Sequence, residues 1–152
     1  MLRGDGRGGF VPVSVHQSQL LIMGDGKALA VYDGDEDGWP DLVATRNNSS
    51  ALIFHNQRRE GGNSFSVLLQ GPRRNARGIG ARIEVLMKNG GIQAAEVTAG
   101  GGYLSQSAAR CFFGFSPENP PREIRVAWPS GQRSTQPWVS GQTAIRISEE
   151  EP

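Results

Sequence analysis

One acidic segment of this sequence has residue types and spacing that indicate metal chemistry. In the nine residues DGDEDGWPD (33–41), aspartates occupy positions 1, 3, 5 and 9. Like charges this close repel one another, and a bound cation would offset the repulsion. Ca²⁺ takes about 6–8 oxygen ligands, and a glycine at position 6 permits the sharp turn of a metal loop. The sequence therefore predicts a Ca²⁺ site formed by Asp33, Asp35, Asp37, Asp41 and the backbone carbonyl of Trp39.

The segment departs from the helix-flanked calcium loop of EF-hands. An EF-hand has a bidentate Glu at position 12, where this chain has Ala44. The flanking runs ALAVY (28–32) and DLVAT (41–45) have the composition of strands. A β-hairpin calcium loop is therefore expected, and an acidic turn without an ion is the alternative. Asp5 and Asp25 lie in separate glycine-flanked turns and are interpreted as turn residues.

A glycine-rich segment, GGGYLSQS (100–107), is a second candidate binding region. Glycines give access to the backbone, and an exposed tyrosine ring can stack on a sugar or a peptide. The candidate binding residues are Tyr103, Ser105 and Gln106. The alternative is a loop that simply packs its tyrosine.

No catalytic arrangement stands out elsewhere, and we expect a protein without enzymatic activity. Cys111, between Arg110 and Phe112, is interpreted as a small buried apolar residue. His16 and His55 follow no zinc spacing, and no GxSxG motif occurs. Three acidic residues of the second part alternate with apolar ones, as residues that face solvent on a strand do, which disfavours a catalytic role for them. They are Glu84, Glu96 and Glu123.

The composition indicates an all-β fold. The 152 residues include 21 Gly and 9 Pro, which favours many turns and disfavours long helices. The single cysteine excludes an intrachain disulfide. No stretch is apolar enough to predict a membrane span, and MLRGDGRGGF at the N-terminus lacks the apolar region of a signal peptide.

Charge is unevenly distributed along a chain whose formal net charge is +1. All six Asp lie at or before Asp41, and the later part is basic. No aromatic residues alternate with the local arginine group, as stacking on single-stranded nucleic acid would require, so we expect no nucleic-acid partner. The group consists of Arg73, Arg74, Arg77 and Arg82.

Strand-like runs divide the chain into two parts. The first has runs at 10–14, 28–32, 41–45 and 51–55, with a polar turn at 47–50. The second has runs at 64–69, 80–88, 92–99, 109–115, 122–128 and 143–148. Alternating apolar residues such as Ile83, Val85 and Met87 predict half-buried antiparallel strands, and Asn89-Gly90-Gly91 predicts a hairpin turn. A polar linker at 56–63 separates two predicted domains, 1–60 and 61–152, the second being a small antiparallel β-sandwich.

The first predicted domain, residues 1–60, resembles an FG-GAP or VCBS repeat, which is the blade unit of integrin-like β-propellers. The resemblance rests on ALAVYD followed by GDEDGWPDLVATRNN. It implies a partial propeller blade, with calcium held by the five positions named above. The second part is similar to the ASPIC/UnbV domain through NARGIGAR (75–82), GGGYLSQS (100–107), Phe113-Gly114 and WPSG (128–131).

The two resemblances together imply a function and a location. Proteins of this kind are secreted or surface-associated, which implies an extracellular or periplasmic setting. Since the chain has about one repeat and a propeller needs several, we expect it to correspond to the C-terminal portion of such a protein. The expected function is a non-catalytic, calcium-stabilised module that binds an unknown protein or glycan partner. An accessory or catalytic protein of a biosynthetic pathway, or a glycan-binding module, is the alternative.

Overall fold

The computed structural model describes residues 1–58 and 62–150. Their regular structure is almost entirely β. The first part holds β1 (Leu2–Gly4), β2 (Phe10–Pro12), the short helix α1 (Val15–Ser18), β3 (Gly26–Tyr32), β4 (Asp41–Arg46) and β5 (Ser49–Phe54). The second holds β6 (Asn63–Gln70), a 3-10 helix (Arg73–Asn75), β7 (Arg82–Met87), β8 (Ile92–Glu96), β9 (Arg110–Phe115), β10 (Pro121–Ala127), β11 (Arg133–Pro137) and β12 (Ala144–Ser148). The predicted all-β class is confirmed, and no helix in these ranges is long and apolar enough to cross a membrane.

The first part consists of a hairpin and a three-stranded sheet. β1 and β2 pair with each other, and β3, β4 and β5 form an antiparallel meander. The turn between β4 and β5 is tighter than predicted, because Asn48 adopts a left-handed φ of 50° and β5 begins at Ser49. The meander is confirmed, but three strands are fewer than the four of a propeller blade, so the blade remains a prediction.

Two sheets form the second part. One is antiparallel with strand order β11-β10-β7-β8, and the other has strand order β12-β6-β9. β12 runs parallel to β6, which departs from the fully antiparallel arrangement predicted. A parallel pair needs a long crossover connection, and here the intervening strands β7 to β11 provide it. The predicted boundary between residues 60 and 61 lies outside the described residues.

Apolar side chains from both sheets meet in one core. The alternation in β7 is confirmed, since Ile83, Val85 and Met87 are all buried and Arg82 is exposed. Cys111 is also buried, as predicted, and burial raises the pKa of its thiol. The other large core residues are Phe65, Val67, Leu69, Val97, Phe113, Ile124, Val126, Trp128, Ile145 and Ile147. In the described part of residues 1–58, by contrast, Ala44 is the one buried apolar side chain.

Strand β11 lies outside the runs predicted from the sequence. Its sequence, RSTQP, has no aliphatic or aromatic residue to reveal an alternating pattern. It forms because it pairs with β10 at the edge of the four-stranded sheet, where a polar strand is well tolerated. Backbone pairing therefore determines this element, and side-chain hydrophobicity does not.

The loop before β7 packs closely on the core through Gly78. This residue has a φ of +62°, and a Cβ placed on it would lie 2.8 Å from Leu69 Cβ and 3.1 Å from Trp128 Cζ3. Gly90, in the β7–β8 turn, has a comparable φ of +85° but no atom within 4 Å of such a Cβ. The two glycines therefore share a backbone requirement and differ in packing.

We expect Gly78→Ala to destabilise the protein more than Gly90→Ala. Both variants force alanine into the left-handed region at a cost of about 1–2 kcal/mol. Only Gly78→Ala also overpacks the core, which adds about 1–3 kcal/mol. Urea denaturation of both variants measures the difference, and equal unfolding midpoints would contradict the packing argument.

Candidate functional site

The acidic segment forms the connection between β3 and β4, and its own backbone shapes it. Asp33 accepts hydrogen bonds from the N–H of Asp37 (3.1 Å) and of Gly38 (3.2 Å). Asp37 in turn accepts the N–H of Trp39 at 2.8 Å. Gly38 has a φ of +85°, which suits glycine. These bonds turn the chain sharply and hold the carboxylates toward the inside of the loop.

The four predicted aspartates come together in two overlapping groups. Asp33, Asp35 and Asp37 have carboxylate oxygens within 4.8 Å of one another, and Asp35 and Asp41 form a second such group with His55. Asp41 is 2% exposed and accepts the N–H of Gly34 and of Asn56. Trp39 lies in the same loop, half-buried. The structure thus brings together the acidic residues that the sequence singled out.

Two arginines neutralise part of this charge. Arg110 of β9 donates through Nη1 to Asp33 Oδ2, and the two side chains are 10% and 0% exposed. Arg58 donates from Nε to Asp37 Oδ2 at 2.8 Å and is largely exposed. Burial raises the pKa of Asp37, but the hydrogen bond from Arg58, the Trp39 N–H and nearby positive charge outweigh it and hold that pKa below its usual value. The same contact raises the pKa of Arg58.

His55 belongs to the site, although its position in the sequence follows no metal-binding spacing. Its Nδ1 lies 3.2 Å from Asp41 Oδ1, and its Nε2 lies 3.6 Å from Asp35 Oδ2. The register of the β4–β5 hairpin explains this placement, because Leu42 pairs with Phe54 and the next positions outward are Asp41 and His55. That register was the available signal, since it follows from the position of the Asn47-Asn48 turn.

The acidic loop also docks on the second part of the chain. Ser64 Oγ donates to the carbonyl of Gly38 at 2.8 Å, and Thr143 Oγ1 donates to the carbonyl of Glu36 at 3.3 Å. A Cβ on Gly38 would lie 2.5 Å from the carbonyl oxygen of Thr143 and 3.2 Å from Phe65 Cα. Glycine is therefore required here for close approach as well as for the turn.

Comparison with known proteins identifies this second part. A sequence profile described as ASPIC and UnbV matches residues 71–152. The chain belongs to the ASPIC and UnbV family. No match was found among curated proteins. The ASPIC/UnbV resemblance is thus confirmed, whereas the FG-GAP or VCBS resemblance of the first part remains a prediction. The structural unit begins earlier than the match, because β6 pairs with β9 and β12 of the matched region.

The second candidate group lies in the ASPIC/UnbV domain, along two adjoining cavities. Tyr103 is 78% exposed and, with Ser105, lines a cavity of about 360 Å³ beside β3 and β4. Gln106 lines the adjoining cavity of about 450 Å³, which shares Leu29 and Gly102 with the first. Ser105 Oγ is buried and has no hydrogen-bond partner. The ring of the exposed Tyr103 is therefore not packed into the loop, which contradicts that alternative, and a binding site formed by the three residues stays a prediction.

The ion pair between Arg110 and Asp33 gives a direct test of the docked arrangement. Arg110→Met leaves the Asp33 carboxylate buried without its cation, which costs about 3 kcal/mol of unfolding free energy for a buried pair. Arg125→Met is the matched control, because Arg125 pairs with Glu123 at an exposed position, where such pairs contribute about 0–1 kcal/mol.

Both variants are compared by urea denaturation in EDTA. The double variant Arg110→Met/Asp33→Asn should recover part of the loss, since it leaves no unpaired charge. An Arg110→Met protein as stable as the Arg125→Met control would show that the buried pair is not formed.

Proposed function

We propose that this chain is a non-catalytic interaction module in which Ca²⁺ bound by the acidic loop stabilises the junction with the ASPIC/UnbV domain. The supporting observation is a charge imbalance. Five acidic side chains between Asp33 and Asp41 face two arginines, Arg58 and Arg110, which leaves three negative charges in excess. A divalent cation would neutralise most of that excess.

The donor chemistry of the loop fits a hard cation. The group of Asp33, Asp35 and Asp37 offers only carboxylate oxygens, which Ca²⁺ prefers. An ionised carboxylate has about four lone-pair sites, so the observed N–H and arginine contacts leave acceptor capacity on each residue. Asp35, Asp37, Asp33, Asp41 and the Trp39 carbonyl are the proposed ligands.

The position of the loop gives such an ion a structural role. The segment that would bind it is the segment that contacts Ser64, Thr143 and Arg110 of the ASPIC/UnbV domain. Because an ion that binds only the folded loop stabilises the folded state, Ca²⁺ would stabilise the junction. The partner would be a protein or a glycan, in an extracellular or periplasmic setting where calcium is abundant. The first part would act as an FG-GAP or VCBS-like blade.

Thermal unfolding tests the proposed ion. We expect the melting temperature to rise when EDTA is replaced by millimolar Ca²⁺, and to rise less with Mg²⁺. A concentration 100 times the Kd contributes about 2.7 kcal/mol, equivalent to about 5–10 °C for a chain of this size. Asp35→Ala and Asp37→Ala should abolish most of the rise. Asp25→Ala should retain it, because Asp25 lies outside the loop and pairs with Lys27.

Two results would contradict Ca²⁺ binding by the acidic loop. One is a melting temperature that does not change with Ca²⁺ in the folded protein. The other is an equal rise in the Asp35→Ala and Asp25→Ala variants, which would place the ion elsewhere.

Arg58 would compete with the ion for Asp37. Its side chain is 62% exposed, and an exposed pair contributes about 0–1 kcal/mol. Arg58→Gln should therefore tighten Ca²⁺ binding by roughly two- to fivefold, as measured by isothermal titration calorimetry. Arg46→Gln is the control, since Arg46 bonds backbone carbonyls away from the acidic loop. If Arg58→Gln binds Ca²⁺ more weakly than the wild type, Arg58 stabilises the site and does not compete with the ion.

The position of His55 favours one other ion class. A site using Asp35, Asp41 and the His55 imidazole suits transition metals such as Mn²⁺ or Zn²⁺. His55→Ala distinguishes the calcium site from the transition-metal site, because it should leave Ca²⁺ binding nearly unchanged and weaken Mn²⁺ and Zn²⁺ binding.

A further inference from the structure

A second charged surface lies in the ASPIC/UnbV domain, in the loop between β6 and β7. Residues 71–82 contain four arginines and no acidic residue. Arg82 pairs with Glu84. Arg73, Arg74 and Arg77 are exposed, and none of them forms an ion pair with another residue in the described ranges 1–58 and 62–150. We call these three the arginine loop.

The loop backbone is held in one shape. Asn75 bridges to Ile79 twice: its Oδ1 accepts the Ile79 N–H at 2.9 Å and its Nδ2 donates to the Ile79 carbonyl at 3.0 Å. The N–H of Gly71 donates to the carbonyl of Ala76, and Gly78 is packed against Leu69 and Trp128. Three guanidinium groups thus project from a backbone that is fixed at both ends. A preordered cationic loop loses less conformational entropy on binding than a flexible one.

Two acidic residues, Glu149 and Glu150, directly follow β12, whose Ser148 pairs with Gln70 at the end of β6, so they adjoin the start of the loop. Glu149 Oε2 lies 3.6 Å from the position of a Cβ on Gly71, and its Oε1 accepts a hydrogen bond from Ser130. Glu149 therefore faces the start of the loop, and within the described residues neither glutamate forms an ion pair with the arginine loop. Three arginines beside two glutamates leave a small local excess of positive charge.

The surroundings of the loop disfavour three kinds of anionic partner. The loop contains no aromatic residue, and Trp128 beneath it is 4% exposed, so single-stranded bases find no stacking surface. Reading duplex DNA in its major groove uses a helix or a β-ribbon, whereas this loop has one 3-10 turn. No large exposed apolar residue lies within 71–82, so the loop has no group to insert into a membrane.

We propose that the arginine loop binds a sulfated polysaccharide. Its sulfate groups require closely spaced cations without stacking or insertion, and arginine binds such tetrahedral anions through paired N–H donors, as it binds phosphate. This inference specifies the partner class of the module proposed above, but it uses a different surface and no calcium. Binding is therefore expected in EDTA.

Heparin, as a highly sulfated polysaccharide, is the probe for the full chain in EDTA. We expect the triple variant Arg73→Gln/Arg74→Gln/Arg77→Gln to weaken heparin binding by tenfold or more at 0.15 M NaCl. The control Arg122→Gln/Arg133→Gln/Arg146→Gln removes the same charge from exposed positions elsewhere on the domain and should weaken it by less than about threefold. By the counterion-release argument, loss of three ionic contacts should also lower the log–log salt slope by about 2–3.

Several outcomes would overturn this proposal. They are the absence of wild-type binding at 0.15 M NaCl, equal losses in the two triple variants, and equal binding of desulfated heparin. Duplex DNA bound as tightly as heparin, with the same dependence on the arginine loop, would identify a nucleic-acid site instead.

Circular dichroism checks whether the triple variant folds. If the triple variant misfolds, Arg74→Gln and Arg77→Gln are each expected to weaken binding about threefold, and unchanged binding by both would refute the site. Because every measurement is made in EDTA, a negative result leaves the calcium proposal standing, and the reverse also holds.

Discussion

Electrostatic repulsion within the acidic loop is the constraint around which the junction of this protein is organised. Asp33, Asp35, Asp37 and Asp41 lie within nine residues, and the fold brings their carboxylates together. The loop offsets part of the repulsion with its own N–H groups. The rest requires cations from elsewhere, and Arg110 of the ASPIC/UnbV domain provides one at a fully buried carboxylate. The two parts of the chain are thus joined where charge has to be neutralised.

The two parts differ in how they are stabilised. The ASPIC/UnbV domain has an apolar core shared between two sheets, in which Phe65, Ile83 and Ile124 have no exposed surface. The described part of residues 1–58 has almost no buried apolar side chain and exposes many large ones, among them Phe10, Met23 and Ile53. Polar contacts hold it to the domain at the acidic loop and also at β3, where the Val31 N–H donates to Ser107 Oγ and the Val31 carbonyl accepts the Ala108 N–H. An ion bound at the acidic loop would add to these contacts.

Charge also separates the surfaces of the protein by chemistry. The acidic loop lies at the junction and would attract a cation, whereas Arg73, Arg74 and Arg77 lie in the β6–β7 loop and would attract an anion. The acidic loop is partly neutralised inside the fold, and the arginine loop is not. A protein with a net charge of only +1 can in this way present two charged regions of opposite sign.

The sequence by itself determined the all-β class, most of the strands, the buried face of β7 and the clustering of the aspartates. These follow from local rules: alternation of apolar residues, and Asp and Gly spacing that closes a loop through its own backbone. It also determined the ASPIC/UnbV family. Tertiary structure decided what depends on residues distant in sequence. β11 forms by pairing with β10 although its residues are polar, and β12 lies parallel to β6 because the intervening strands provide a crossover. Arg110 reaches Asp33 across 77 residues of chain, whereas His55 reaches Asp41 within one hairpin, whose register follows from the Asn47-Asn48 turn. No local pattern encodes the β6–β12 pairing or the Arg110–Asp33 contact, because each joins segments that are far apart in sequence.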